Sequence, residues 1–248
     1  MLAKLKNYVK NLIAPDVKYS LLNTSDKLEK LGTSYGGWLI PVNLLTSGSI
    51  CYMAGAGEDI SFDVELAKRF QCDVYIFDPT PRSKAHFDKV ILAADMGKQT
   101  FTHANIQYYL DKSIGTHLKF KEIGIWKNHD TLKFYEPRDS THVSHSIANL
   151  QKTDRYFEAP VERLSDIMRS LGHDHVDMLK LDIEGAEFAV VDSIIEDKIE
   201  IRILCIEFHL EKEKDFNQIQ STINRLEQNG YAVIAKEALD FTFIKTAK

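Results

Sequence analysis

Apolar and polar positions fall into blocks whose period switches between that of a buried strand and that of a helix. Ile50-Cys51-Tyr52-Met53-Ala54 is a continuous apolar run that enters Gly55-Ala56-Gly57-Glu58-Asp59. Phe62, Leu66 and Phe70 then recur with helical spacing, which predicts a helix over about 60–70. A second apolar run, Val74–Phe77, ends at Asp78, and the prolines of Asp78-Pro79-Thr80-Pro81 open a helix near 82–92. Later the same rhythm returns. Glu162–Leu171 reads as a helix closed by Gly172, Val176–Asp182 as a strand, Glu187–Ile195 as a helix and Ile201–Phe208 as a strand. Phe216–Gln228 is an amphipathic helix closed by Asn229-Gly230. Tyr231–Ala235 and Phe241–Lys245 read as two strands joined by a short turn, hence antiparallel. Strand–helix units in this order predict an α/β fold: a doubly wound, mostly parallel sheet with helices on both faces.

Other stretches are less periodic. Residues 18–31 look helical and polar, and Gly32-Thr33-Ser34-Tyr35-Gly36-Gly37 breaks that helix. Together with a short amphipathic segment at the start, this predicts an N-terminal helical arm over 1–34, followed by one domain over 35–248. Leu118–Trp126 reads as one strand with a glycine inside it, and Asp130–Tyr135 as its hairpin partner across Lys127-Asn128-His129. Residues 137–155 have no apolar period and read as a lid-like loop.

Composition narrows the partners. The 248 residues carry a formal net charge of −5, which gives no basic footprint for nucleic acid. No apolar stretch is long enough to cross a bilayer, and lysines interrupt the first thirteen residues where a secretory signal would need an apolar core. Cys51, Cys72 and Cys205 are unclustered and lie in or beside apolar runs, as reduced thiols of a cytoplasmic protein would. The sequence leaves a homo-oligomer open.

Strand, glycine turn, helix, strand, acid is how a doubly wound sheet builds a nucleoside pocket at the carboxyl ends of its strands. The dinucleotide fingerprint would place a third glycine where Ile60 stands, and Glu58 and Asp59 would meet a pyrophosphate with like charge. S-adenosylmethionine (SAM) has no phosphate and carries a sulfonium and an ammonium, which acids near the turn favour. An NAD-dependent oxidoreductase and a non-catalytic nucleoside-binding module are the alternatives.

The chain resembles the FkbM-type family of class I SAM-dependent methyltransferases. The likeness rests on Tyr35-Gly36-Gly37-Trp38, on Ala54-Gly55-Ala56-Gly57-Glu58-Asp59-Ile60-Ser61-Phe62 with Phe77-Asp78-Pro79, on Leu179-Lys180-Leu181-Asp182-Ile183-Glu184-Gly185-Ala186-Glu187, and on Ile206-Glu207-Phe208-His209. The resemblance implies a Rossmann-like seven-stranded sheet with an antiparallel last strand, SAM as methyl donor, and most often a hydroxyl acceptor on a sugar, glycan or other secondary metabolite. One departure is Met53, which stands two residues before the first glycine where many relatives carry an acid.

The expected cofactor residues are Tyr35, Gly55, Ala56, Gly57, Glu58, Asp59, Ser61, Pro79 and Thr80, with Asp78 on the ribose hydroxyls and Gly124 and Ile125 beside adenine. Asp182, at a strand's carboxyl end, is expected as base, substrate ligand or metal ligand, and His209 as a base whose ordinary pKa suits a hydroxyl proton. His142, Ser144 and His145 in the loop are expected to meet the acceptor, with His145 also a candidate base; Glu184 is a further substrate contact. Glu187 reads as structural, and Glu207 as pointing the other way along its strand. A divalent metal, held by His142 and His145 with Asp182 or Glu207, is the less favoured reading.

Overall fold

The computed structural model describes residues 17–135, 153–209 and 215–246. Its centre is a seven-stranded sheet. β3 (Ile50–Ala54) pairs in parallel with β4 (Asp73–Phe77) on one side and β11 (Val176–Leu181) on the other. β4 pairs with β7 (Leu118–Lys121), and β11 with β12 (Ile201–Glu207), all in parallel. β14 (Asp240–Lys245) runs antiparallel between β12 and β13 (Tyr231–Glu237). The order is therefore β13-β14-β12-β11-β3-β4-β7.

Alternation along the strands splits the core into two layers. Tyr52, Ala54, Leu179, Leu181, Leu204 and Ile206 face one side, against apolar residues of α4 (Leu164–Leu171), α5 (Glu187–Glu196) and α6 (Asp215–Gln228). Cys51, Met53, Met178, Ile203 and Cys205 face the other, against α1 (Ser61–Phe70) and α2 (Pro81–Asp95). Both faces are buried, which is why the central strands read as continuous apolar runs. The Rossmann-like α/β/α architecture expected from the sequence is present.

Three local expectations are corrected. Residues 18–31 do not form a helix over their length: β1 (Leu28–Leu31) pairs antiparallel with β2 (Trp38–Pro41). The hairpin buries Leu31 and Ile40, and tertiary packing overrides the helix propensity of the lysines and glutamates. Leu118–Trp126 is not one strand. The chain leaves β7 at Lys121 and enters β8 (Gly124–Trp126), which belongs to a separate three-stranded sheet. In that sheet β10 (Tyr156–Arg163) lies between β8 and β9 (Asp130–Tyr135), so β9 pairs with β10 and not with β8. A hairpin β5 (Thr100–His103) and β6 (Ile106–Tyr109) and the short α3 (Ile114–His117) fill the stretch that lacks a clear period. The lid expected over 137–155 lies, up to residue 152, outside the described residues, and His142, Ser144 and His145 lie there with it.

Candidate active site

The glycine turn is built by the meeting of three strand ends. The Gly55 amide donates to the Phe77 carbonyl at 3.0 Å, and the Asp182 amide donates to the Ala54 carbonyl at 3.0 Å. Gly55 has φ +84°, and a Cβ there would stand 1.8 Å from the Asp182 carbonyl oxygen. Only glycine lets the backbones of β3 and the β11 loop approach this closely. Gly57 has φ +55°, and a Cβ at that position would meet nothing within 4 Å, because it faces open space.

Acids hold this turn in place. Asp78 Oδ2 accepts from the Ala56 and Gly57 amides at 2.9 and 3.2 Å, and Oδ1 accepts from the Thr80 amide and hydroxyl at 2.8 and 2.6 Å. Asp78 is 5 % exposed. Both its oxygens are thus committed to backbone and Thr80, a clasp between the glycine turn and the start of α2. Thr80 caps that helix through its side chain. Glu58 receives a two-pronged Arg82 guanidinium at 2.8 and 2.9 Å. Asp59 accepts from the Thr33 hydroxyl at 2.6 Å and the Ser61 amide at 2.9 Å. Ser61 does not join the expected cofactor wall. As the first residue of α1 it turns toward the β1–β2 hairpin, where its hydroxyl oxygen accepts from the Thr33 amide at 2.9 Å.

The opposite pole is made by the ends of β11 and β12. Lys180 is buried and its Nζ donates to the Gly55 carbonyl at 3.0 Å and to Asp182 Oδ2 at 3.1 Å. Burial by itself would lower the Lys180 ammonium, but Asp182 and Asp63 hold it above its ordinary value. Asp63 is buried beneath the turn, and burial pushes its carboxyl up to about 6 despite the pull of Lys180. Glu187, fully buried at the start of α5, accepts from the Ile183 and Gly185 amides at 3.1 and 3.0 Å and bonds His209 Nδ1 at 2.8 Å. It fixes both the loop after β11 and the imidazole.

His209 Nε2 then faces Glu184 at 3.6 Å, Glu207 at 3.7 Å and Asp182 at 3.9 Å. Burial acts to lower the imidazole, but the bond to Glu187 and the charges of Glu187, Glu184 and Glu207 outweigh it and hold it well above its ordinary value. Glu207 does not point away, as expected from simple alternation against the apolar core. Residues two apart share a face of a strand, so Glu207 and His209 lie together while the intervening Phe208 enters the core.

Between the two poles lies a cavity of about 790 Å³ at the carboxyl ends of the strands, a size suited to a small-molecule site. Tyr35, Gly55, Ala56, Gly57, Glu58, Asp59, Asp78, Pro79, Thr80, Gly124, Ile125, Asp182, Glu184 and His209 all line it. Trp38, Lys180 and Glu207, which belong to the motifs that carry the family resemblance, line it too, and so do Tyr19, Lys236 and Asp240, which the sequence pattern does not mark as site residues. Among the described residues, carboxylates outnumber lysines on the wall: Glu58, Asp59, Asp78, Asp182, Glu184, Glu207, Glu237 and Asp240 against Lys30, Lys180 and Lys236. Such a wall suits a cationic, phosphate-free ligand.

A sequence model described as the methyltransferase FkbM domain matches residues 54–233. No curated protein matches the chain. Among solved structures, the fibrillarin pre-rRNA processing protein of Methanococcus jannaschii is similar at 11 % identity and TM-score 0.41, over 94 % of this chain and 89 % of that one. TYW2 of M. jannaschii, in complex with AdoMet, is similar at 11 % identity and TM-score 0.34, over 91 % and 90 % of the two chains.

Proposed function

Because the chain belongs to the FkbM methyltransferase family, we propose that it transfers a methyl group from SAM to a hydroxyl oxygen of a small-molecule or glycan acceptor. The observation that carries this reading is the acid-walled cavity at the strand ends, with the glycine turn on one side and Asp182 and His209 on the other. The oxidoreductase alternative loses support, since Ile60 is fully buried where a third glycine would sit and Glu58 stands on the cavity wall.

When bound, SAM supplies an electrophilic methyl carbon on a sulfonium that leaves as a neutral thioether. The chain's own residues bind and align. Gly55–Gly57 let the backbone come close to the amino-acid part, with Glu58 and Asp59 nearby for its ammonium. Asp78 acts first as the clasp of the turn. Its oxygens already accept four hydrogen bonds, the number a carboxylate's lone pairs provide, so a ribose hydroxyl must share or displace one. Gly124, Ile125 and Pro79 line the cavity together and offer a mostly apolar wall for a base. Tyr35 lies at the rim, where a ring face favours a sulfonium.

At the other pole Asp182 takes the acceptor proton while the acceptor oxygen attacks in line. His209, locked by Glu187 at Nδ1, orients that oxygen through Nε2. Glu184 and Glu207 accept hydrogen bonds from neighbouring hydroxyls of the acceptor. Alignment and exclusion of water provide most of the rate enhancement.

Calorimetry with SAM tests the donor half, and transfer of a labelled methyl group to a panel of sugars, glycans and hydroxylated metabolites tests the acceptor half. A folded sample that binds neither SAM nor its demethylated product would remove the reading. Methylation of amines in place of hydroxyls would overturn its acceptor half alone.

A further inference from the structure

The geometry points to a divalent cation site formed by Asp182, Glu207 and His209 at the acceptor pole of the cavity. One ligand atom from each lies within 4.8 Å of the others. His209 Nε2 is 3.7 Å from Glu207 Oε1 and 3.9 Å from Asp182 Oδ1. These separations exceed a hydrogen bond. Ligands at about 2.1 Å from one ion lie about 3.0 Å apart when adjacent and about 4.2 Å apart when opposite. The two spacings from Nε2 fall between those limits and the third is within 4.8 Å, so an ion fits among the three once the side chains adjust.

A second observation comes from behind the imidazole. Glu187 is fully buried, holds the Ile183 and Gly185 amides, and bonds His209 Nδ1 at 2.8 Å. A buried carboxylate on the far nitrogen is the arrangement that fixes the tautomer and ring direction of a metal-binding histidine. It aims Nε2 at the carboxylates and at the cavity. Glu184 Oε2, 3.6 Å from Nε2, supplies a fourth ligand atom at the edge of the group. The remaining coordination positions open onto the cavity, where a hydroxyl pair of the acceptor completes the shell.

Two carboxylates and one imidazole suit Mn²⁺, or Mg²⁺ at higher concentration, better than a thiolate-seeking ion. The site's purpose rests on the methyl-transfer reading: with an ion bound, Nε2 of His209 holds the ion, and the ion takes over from the imidazole in orienting the acceptor oxygen, makes its proton easier to pass to Asp182 and selects acceptors with two adjacent oxygens. Its existence does not rest on that reading.

The test is titration of the SAM-free full chain with Mn²⁺, followed by the electron spin resonance of the free ion, with calorimetry for SAM on the same samples. One saturable site per chain is expected. Glu207→Gln and His209→Ala should each weaken Mn²⁺ at least tenfold, and Glu187→Gln by about 10–100-fold. Should a variant fail to fold, pulsed resonance on the unsubstituted protein still decides, because a bound imidazole nitrogen gives a hyperfine coupling that a carboxylate-only site lacks. Absence of saturable Mn²⁺ binding, or binding without nitrogen coupling, in protein that binds SAM overturns the inference. Mn²⁺ binding without SAM binding would leave the cation site standing and remove the methyl-transfer reading.

Discussion

Replacing Gly55 by alanine should destabilise the protein more than the same change at Gly57, although both residues have positive φ. At Gly55 the angle is +84° and at Gly57 +55°, so a Cβ costs about 1–2 kcal/mol at either place from local sterics alone. The difference lies in what that Cβ meets. At Gly55 it would stand 1.8 Å from the Asp182 carbonyl oxygen and 2.9 Å from its carbon; at Gly57 nothing lies within 4 Å. The clash cannot relax cheaply. Gly55 is held by its amide to Phe77 and by its carbonyl to Lys180, and Asp182 is held by its amide to Ala54. Separating β3 from the β11 loop means lengthening these bonds. Overpacking of this kind adds about 1–3 kcal/mol. Gly55→Ala should therefore lose about 2–5 kcal/mol in total, a large part of the roughly 5–15 kcal/mol that holds a domain together. Urea denaturation of the two variants measures the difference with the shared backbone strain cancelled. Gly57→Ala should instead act on SAM affinity, because its methyl group enters the space beside the turn. Equal urea midpoints for the two variants would refute the close approach as the reason for glycine at position 55.

Asp63 gives a pH test. Its carboxyl rises from 3.8 to about 6 on folding, so between those values the native state keeps a proton that the unfolded chain has lost. Stability must then fall as pH rises through that window, by at most about 3 kcal/mol, and level off above it. Asp63→Asn should remove the slope, and a wild-type-minus-variant difference that is the same at pH 4 and pH 6.5 would count against it. Lys180→Met leaves Asp63 and Asp182 without the buried ammonium. It should lower the urea midpoint and deepen the pH-dependent loss, and adding Asp63→Asn should recover part of it, with a coupling of about 0.5–3 kcal/mol in the double-mutant cycle; strict additivity would show the two groups to be independent. Tyr35 is 59 % exposed on the cavity rim, so Tyr35→Ala should change stability by less than about 0.5 kcal/mol while weakening SAM severalfold by calorimetry; unchanged affinity would take Tyr35 out of the site.

What the sequence reveals and conceals here follows from the range of each interaction. Ile50–Ala54, Val74–Phe77 and Val176–Leu181 are buried on both faces, so they announce themselves as apolar runs, and the glycine turn and Asp78 follow from position at their ends. The role of Asp78 does not follow. That it clasps the Ala56 and Gly57 amides depends on β3 and β4 lying side by side, which no spacing encodes. β1 is hidden for a related reason: Glu29 and Lys30 favour a helix locally, and only the pairing with Leu39 and Ile40 makes them a strand. β10 carries Pro160 in its middle, which locally argues against a strand. Its strand character is conferred by β8 and β9 on either side. The His209–Glu187 bond joins residues 22 apart across two elements. Each acid around it stands out in the sequence, but their convergence does not.

The run Lys180-Leu181-Asp182-Ile183-Glu184-Gly185-Ala186-Glu187 gains its meaning from that convergence. Its first residue reaches back to the carbonyl of Gly55, and its third residue's carbonyl oxygen occupies the place that a Cβ on the same glycine would take. Its last residue holds the intervening loop by two amides and holds His209 besides. One segment therefore touches both poles of the cavity, through contacts of about 3 Å that leave no slack between them. A shift of the glycine turn must displace Asp182, and a shift of Asp182 must strain the loop that Glu187 anchors. Occupation of the turn is thus mechanically linked to the placement of the carboxylate and imidazole across from it. Alignment in the proposed methyl transfer depends on that distance, so the packing of this segment bears on the chemistry together with the groups proposed to face the acceptor.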